Sequence, residues 1–222
     1  MKINFDELIE NYLKRDSYPK TIGRYYPSEA GYCIRKNWYS YKYPKETDKD
    51  VMKIFKVGNM IHSFLVDVLS SQKNPNIELL ESEAPFKLNI DDFVISGRID
   101  DVILLKANKK IIIVEVKSTK NINFIKEAIK THVDQLMIYM YAKKIYDGAI
   151  VYIEKNTLKS KMFEIKYDKN SVDKLIERFK ILHKHLKEDT LPEPEAKQND
   201  EMKWMCRYCP YKEECDNNLT KI

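Results

Sequence analysis

GRIDDVILLKANKKIIIVEVK, residues 97–117, holds two apolar, β-branched runs separated by Ala107–Lys109. That pattern predicts strands over 93–106 and 110–117, joined by a hairpin turn. The run Ile111–Val114 is apolar on both faces, as a strand in the middle of a sheet is. Glu115 and Lys117 follow at its end. Two residues apart on a strand, they point to one face, and the hairpin brings Asp100 beside them.

Two carboxylates and a lysine on one face of a buried strand conflict with the cost of burying unpaired charge. A divalent cation between Asp100 and Glu115 removes the conflict, because Mg²⁺ prefers oxygen ligands and keeps some of its waters. A water acidified by such a metal can attack a phosphodiester. Lys117 can orient that water or stabilise the charge that develops, and Val116 can add its backbone carbonyl as a ligand. A surface ion pair of Lys117 with Glu115 or Asp100 uses the same residues. The hairpin context is what raises the motif above a chance match.

Working outward, residues 77–88 read as a third strand, with Asn89–Asp92 as the turn into the next. Upstream the pattern is helical. Phe5, Leu8, Ile9 and Leu13 are spaced for a helix over 4–15. Pro27 and Ser28 open a second helix, with Ser28 as N-cap and Cys33 inside it. A third helix over 50–70 carries His62 among Ile61, Phe64 and Leu65. A histidine on such a face is a core residue in one reading. In the other it is a neutral imidazole completing a metal shell.

Downstream, residues 123–146 read as a helix, 148–154 and 159–167 as strands, and 170–188 as an amphipathic helix. Gln135 and Tyr139 lie four apart on the first of these helices and share a face. There they can hold a DNA phosphate or brace Lys117; the polar edge of an ordinary amphipathic helix accounts for them equally. This order of elements predicts one α/β domain over residues 1–222. Within it, residues 1–75 form a helical N-terminal part with Cys33 and His62. Residues 76–188 form the core, and residues 189–222 a linker and cysteine-rich tail.

Composition narrows the class. The chain has 222 residues, 43% hydrophobic and 33% charged, enough for a core and a solvated surface. Its net charge of +5 permits nucleic-acid binding without establishing it. Asp6, Glu7 and Glu10 interrupt any secretory leader at the start. The longest apolar and aromatic run, Leu136–Ala142, is too short to cross a bilayer. A cytosolic location without membrane contact is therefore expected, where disulfides are disfavoured.

The tail spaces Cys206, Cys209 and Cys215 as C-x2-C-x5-C, and Cys33 lies far upstream. The four form one site only if the tail folds back onto the N-terminal helices. Such a site takes zinc or an iron–sulfur cluster, and the spacing does not choose between them. Four unrelated buried cysteines are the third account.

GRID, EVK and QLMIY, in this order, resemble the RecB-type branch of the PD-(D/E)XK nuclease superfamily. The resemblance implies a restriction-endonuclease-like mixed sheet flanked by helices. It implies metal binding by His62 (in GNMIH), Asp100, Glu115 and the Val116 carbonyl. It makes Lys117 the catalytic lysine and places Gln135 and Tyr139 in the QxxxY motif beside the active site. The one-plus-three cysteine arrangement resembles both the iron–sulfur CRISPR-associated nucleases and the C-terminal nuclease of AddB-type recombination proteins. The chain's size and the segment PSEAGYCIRKNWY fit the former better.

That family implies a 4Fe–4S cluster on Cys33, Cys206, Cys209 and Cys215, joining the N-terminal helices to the tail. It implies Mg²⁺- or Mn²⁺-dependent cleavage of DNA, exonucleolytic on single strands and endonucleolytic as well. It further implies a role in CRISPR adaptation, processing spacer DNA beside the CRISPR integrase; an oligomer is possible, and the sequence leaves the oligomeric state open. The alternatives are a viral or recombination and repair nuclease outside CRISPR, a non-catalytic DNA-binding assembly module, and a zinc-stapled protein of other activity.

Overall fold

Three helices and one short strand precede the main sheet. In the computed structural model, which describes residues 3–14 and 19–219, these are α1 (Phe5–Leu13), β1 (Arg24–Tyr25), α2 (Ile34–Lys42) and α3 (Lys49–Leu69). Strands β2 (Ile77–Ile90), β3 (Phe93–Leu105) and β4 (Lys110–Thr119) follow as a meander. Helix α4 (Lys130–Lys143) then crosses over to β5 (Asp147–Glu154), which turns into β6 (Ser160–Lys166). Helix α5 (Lys169–Lys187) and three short helices, α6 (Glu195–Gln198), α7 (Trp204–Arg207) and α8 (Lys212–Leu219), complete the chain.

The six strands form one mixed sheet, ordered β1-β3-β4-β5-β6 with β2 on the other edge of β3. Strands β4 and β5 are parallel, as the α4 crossover requires, whereas β2, β3 and β4 run antiparallel in turn. One edge of β3 is taken up by β2 along its whole length. Its other edge is shared. Residues Asp101–Leu105 pair with β4, and Val94 and Ile95 pair with β1. Between them, around Gly97–Asp100, β3 and β4 part company. The sheet splits where the GRID motif lies.

Both faces of the sheet are covered. Helices α2, α4 and α5 pack on one face around Ile99, Ile113, Leu136, Ile150 and Leu182. On the other face α3 reaches β2 and β4, and Leu69 joins a smaller cluster of Ile103, Ile112 and Val114. Burial on both faces explains the uninterrupted apolar run of β4. Among the described residues, no helix is long and apolar enough to cross a membrane.

Several expected boundaries move. The second helix begins at Ile34, with Cys33 as its N-cap rather than inside it. Pro27–Glu29 is instead a 3-10 turn, closed by Glu29 accepting the Tyr26 amide. The helix expected over 123–146 spans only Lys130–Lys143. Asn121 caps a separate 3-10 turn before it, and Lys144 ends it in the left-handed conformation. Strand β1 is too short to show as a pattern. Arg15, the last residue of the expected first helix, lies outside the described residues.

The tail is docked rather than trailing. Glu195 accepts the Ile34 amide at 2.6 Å and pairs with both terminal nitrogens of Arg178. Arg178 also donates to the carbonyls of Ala30 and Tyr32. Arg35 donates to the Pro192 carbonyl, and Tyr211 stacks on Tyr39 at 5.5 Å. These contacts bind α6–α8 to α2 and α5.

Candidate active site

Alternation along β3 sends Asp100 and Asp101 to opposite faces of the sheet. Asp100 sits at the split, and its Oδ2 accepts the amide of Val116 at 2.8 Å. That amide has lost its strand partner to the divergence, so a side chain replaces the ladder. The N–H and C=O of one residue share a strand edge, which turns the Val116 carbonyl toward the same gap.

Glu115 is fully buried. Lys117 Nζ lies 2.6 Å from its Oε1, yet neither carboxylate oxygen has a partner in hydrogen-bonding geometry among the described residues. Burial, reinforced by repulsion from Asp100, pushes the Glu115 carboxyl up to about 8. Burial also raises Asp100, against the pull of the Val116 amide. Burial opposes the Lys117 charge, but Glu115 and Asp100 outweigh it and the ammonium is held protonated. Two buried carboxyl groups thus share one lysine, and burial disfavours ionising both.

Helix α4 supports Lys117 from below. Gln135 Oε1 accepts from Lys117 Nζ at 3.4 Å, and Gln135 Nε2 donates to Tyr139 Oη at 2.8 Å. The ammonium, a donor only, sets which end of the amide faces it, and the hydroxyl takes the other end. Tyr139 is itself wedged edge-on against Phe86 at 5.5 Å.

His62 enters from α3. Its Nε2 lies 3.2 Å from Asp101 Oδ2, and its Nδ1 lies 3.2 Å from Glu83 Oε1. The hydrogen bond to Asp101, opposed by burial, raises its pKa to about 9. Among the described residues, His62, Glu83 and Asp100 form the one trio of His, Cys, Asp or Glu side chains with ligand atoms all within 4.8 Å of one another.

The structure thus gathers Asp100, Glu115, Val116, Lys117, Gln135 and Tyr139 at the split, and brings His62 to Asp100. It does not bring Glu115 into that trio, because Glu115 is turned toward Lys117. Glu83 and Asp101 are absent from the sequence reading. Asp101 is carried by the doubled acid of GRIDD. Glu83 was reachable by counting back from the expected hairpin turn, since Ile90 faces Phe93 and Ser82 faces Asp101.

The four cysteines also come together. Cys33, Cys206, Cys209 and Cys215 line one cavity, with Arg35, Lys36 and Lys197 around it. All four are free thiols. Burial pushes the Cys206 and Cys209 thiols up. No three of these sulfurs lie within 4.8 Å of one another.

Similar folds occur among solved structures. The protein SSO0001 superposes with a TM-score of 0.64 at 23% identity, covering 95% of this chain and 94% of that one. LHK-Exo in complex with dAMP gives 0.56 at 10% identity over 76% of this chain and 90% of its own. A phage-related exonuclease from Haemophilus somnus gives 0.51 at 15% identity over 70% and 79%. At these identities the likeness is one of fold. No curated protein matches the sequence. A family model does, over residues 33–216, a span that takes in the split, its acids and lysine, the QxxxY pair and every cysteine; the chain belongs to the PD-(D/E)XK nuclease superfamily.

Proposed function

We propose that the protein is a metal-dependent DNA nuclease that hydrolyses phosphodiester bonds, exonucleolytic on single strands and able to cut internally. One observation carries this reading. Asp100 and Glu115 place two buried carboxyl groups at the split beside a single lysine, and burial resists ionising both. That is the donor set of a hard divalent cation, Mg²⁺ or Mn²⁺. His62, Asp100, Glu115 and the Val116 carbonyl would hold it. When bound, the cation supplies Lewis acidity and acidifies water. Lys117, steadied by Glu115 and Gln135, sets a positive charge beside the attacked phosphate. Tyr139 fixes the amide that steadies Lys117.

The test is cleavage of labelled single-stranded DNA with Mn²⁺, comparing the wild type with Asp100→Ala and Glu115→Ala. Loss of cleavage in both supports the assignment, and undiminished cleavage in both rejects it. Substrates blocked at the 5′ or 3′ end separate exonuclease from endonuclease action.

The cysteine cavity supports a 4Fe–4S cluster with a structural role. A single tetrahedral zinc ion holds its sulfurs roughly 3.8 Å apart, from bonds of about 2.3 Å. The sulfurs here are set wider than a trio around one ion. Arg35, Lys36 and Lys197 add positive charge around a site of four thiolates. Anaerobic purification tests it: bound iron with broad visible absorption supports the cluster, and stoichiometric zinc overturns it. A part in CRISPR adaptation, with the CRISPR integrase as partner in the cytosol, rests on the resemblance to the iron–sulfur CRISPR-associated nucleases.

A further inference from the structure

We propose that Glu83 is a ligand of the divalent cation, together with His62 Nδ1 and Asp100, and that Asp101 is the carboxylate that turns His62 toward them. This inference rests on the metal-dependent reading of the same site.

Glu83 lies on β2, directly across the ladder from Asp100. Its neighbours Ser82 and Ala84 pair with Asp101 and Ile99. At Glu83 itself the backbone turns to φ +49, a conformation uncommon for a residue with a side chain. A non-glycine residue held this way within a strand points to a local demand that the ladder alone does not make.

The histidine is oriented from behind. Asp101 is fully buried and its Oδ1 has no partner among the described residues. A buried carboxylate is costly without donors, so the Nε2–H of His62 belongs to Asp101, 3.2 Å away. The lone pair of the neutral ring then sits on Nδ1. A carboxylate taking the far N–H is the usual companion of a metal-bound histidine.

Nδ1 and Glu83 Oε1 face one another at 3.2 Å. A cation that takes the place of the Nδ1 proton would meet both as electron-pair donors. Their separation matches the roughly 3 Å edge of an octahedron with bonds of about 2.1 Å. The other Glu83 oxygen leans toward Arg98 at 3.6 Å, on the exposed side.

The test is Mn²⁺ binding to the full chain by calorimetry and electron paramagnetic resonance, without DNA. Glu83→Gln keeps an acceptor for His62 but removes the anionic ligand. The expected result is Mn²⁺ binding weakened at least about 10-fold, with the metal-free melting temperature unchanged. Wild-type Mn²⁺ affinity in Glu83→Gln overturns the proposal, and does so even if Glu83→Ala binds weakly, because that pair of results makes Glu83 a support for the ring only. Asp100→Ala is the control that separates the two readings. If it binds Mn²⁺ like the wild type, the metal centre itself is misplaced and the inference falls with it. If it loses binding while Glu83→Gln does not, only the role of Glu83 falls.

Discussion

Lys117 and Glu115 are paired at 2.6 Å across the end of β4, and the same ammonium is shared with Asp100. Above about pH 8, where Glu115 ionises, metal-free protein carries electrostatic repulsion between two buried carboxylates. Substituting Glu115→Gln removes that repulsion while keeping an oxygen for Lys117. Measured in chelator above pH 8, the variant is expected to melt about 2–4 °C higher, the shift that roughly 1 kcal/mol produces in a chain of this size. Its cleavage of DNA is expected to fall roughly 10²–10³-fold, as when a charge-stabilising group is deleted. A variant melting below the wild type in chelator would contradict the repulsion argument.

Acid should weaken metal binding. The raised pKa values near 9 for His62 and 8 for Glu115 mean that both groups hold a proton at neutral pH. Ligands act in their unprotonated forms, so a bound cation must displace those protons. Mn²⁺ affinity is expected to climb from pH 7 to pH 9, with protons released on binding. Calorimetry in buffers of different ionisation enthalpy reads the release directly, and a flat profile over that range would count against it.

Gly31 sets the distance between the N-terminal turn and α4. A Cβ there would come 2.8 Å from Thr131 Cα and 2.9 Å from Asp134 Oδ2. Backbone cannot give way as a flexible side chain does. Gly31→Ala is expected to lose about 1–3 kcal/mol of stability by overpacking. Cleavage should fall as well, because α4 carries Gln135 and Tyr139. Melting curves and single-turnover rates on the same preparation test both parts.

The tail has a fastening independent of its cysteines. Glu195→Ala removes the acceptor of the Ile34 amide and of Arg178. A loss of about 1–3 kcal/mol is expected from leaving such donors unsatisfied. Hydrogen exchange should rise first in residues 190–219. If exchange there stays at the wild-type level, the ion pair is not what holds the tail.

Much of the site is legible in the sequence because strand alternation is a strict rule. Glu115 and Lys117 share a face by count alone, and the turn between β3 and β4 carries Asp100 to them. Gln135 and Tyr139 follow from helical spacing in the same way. The start of α4 is not legible, because residues Asp134–Met140 are buried all round and leave no amphipathic stripe to mark an end. The tail helices span four to eight residues, too short for periodicity to register. Glu83 looked like one more acid in a charged strand, since its importance comes from a partner across the ladder and a helix far from it in the chain.

The cysteine cavity takes one sulfur from residue 33 and three from beyond residue 205. Its two walls are separated along the chain by the whole catalytic sheet. A ribosome-bound chain that has finished the whole catalytic sheet still lacks three of the four sulfurs. A group held by all four sulfurs can be received only after the segment carrying Cys206, Cys209 and Cys215 has docked beside Cys33, so occupancy becomes a record that this closure has taken place.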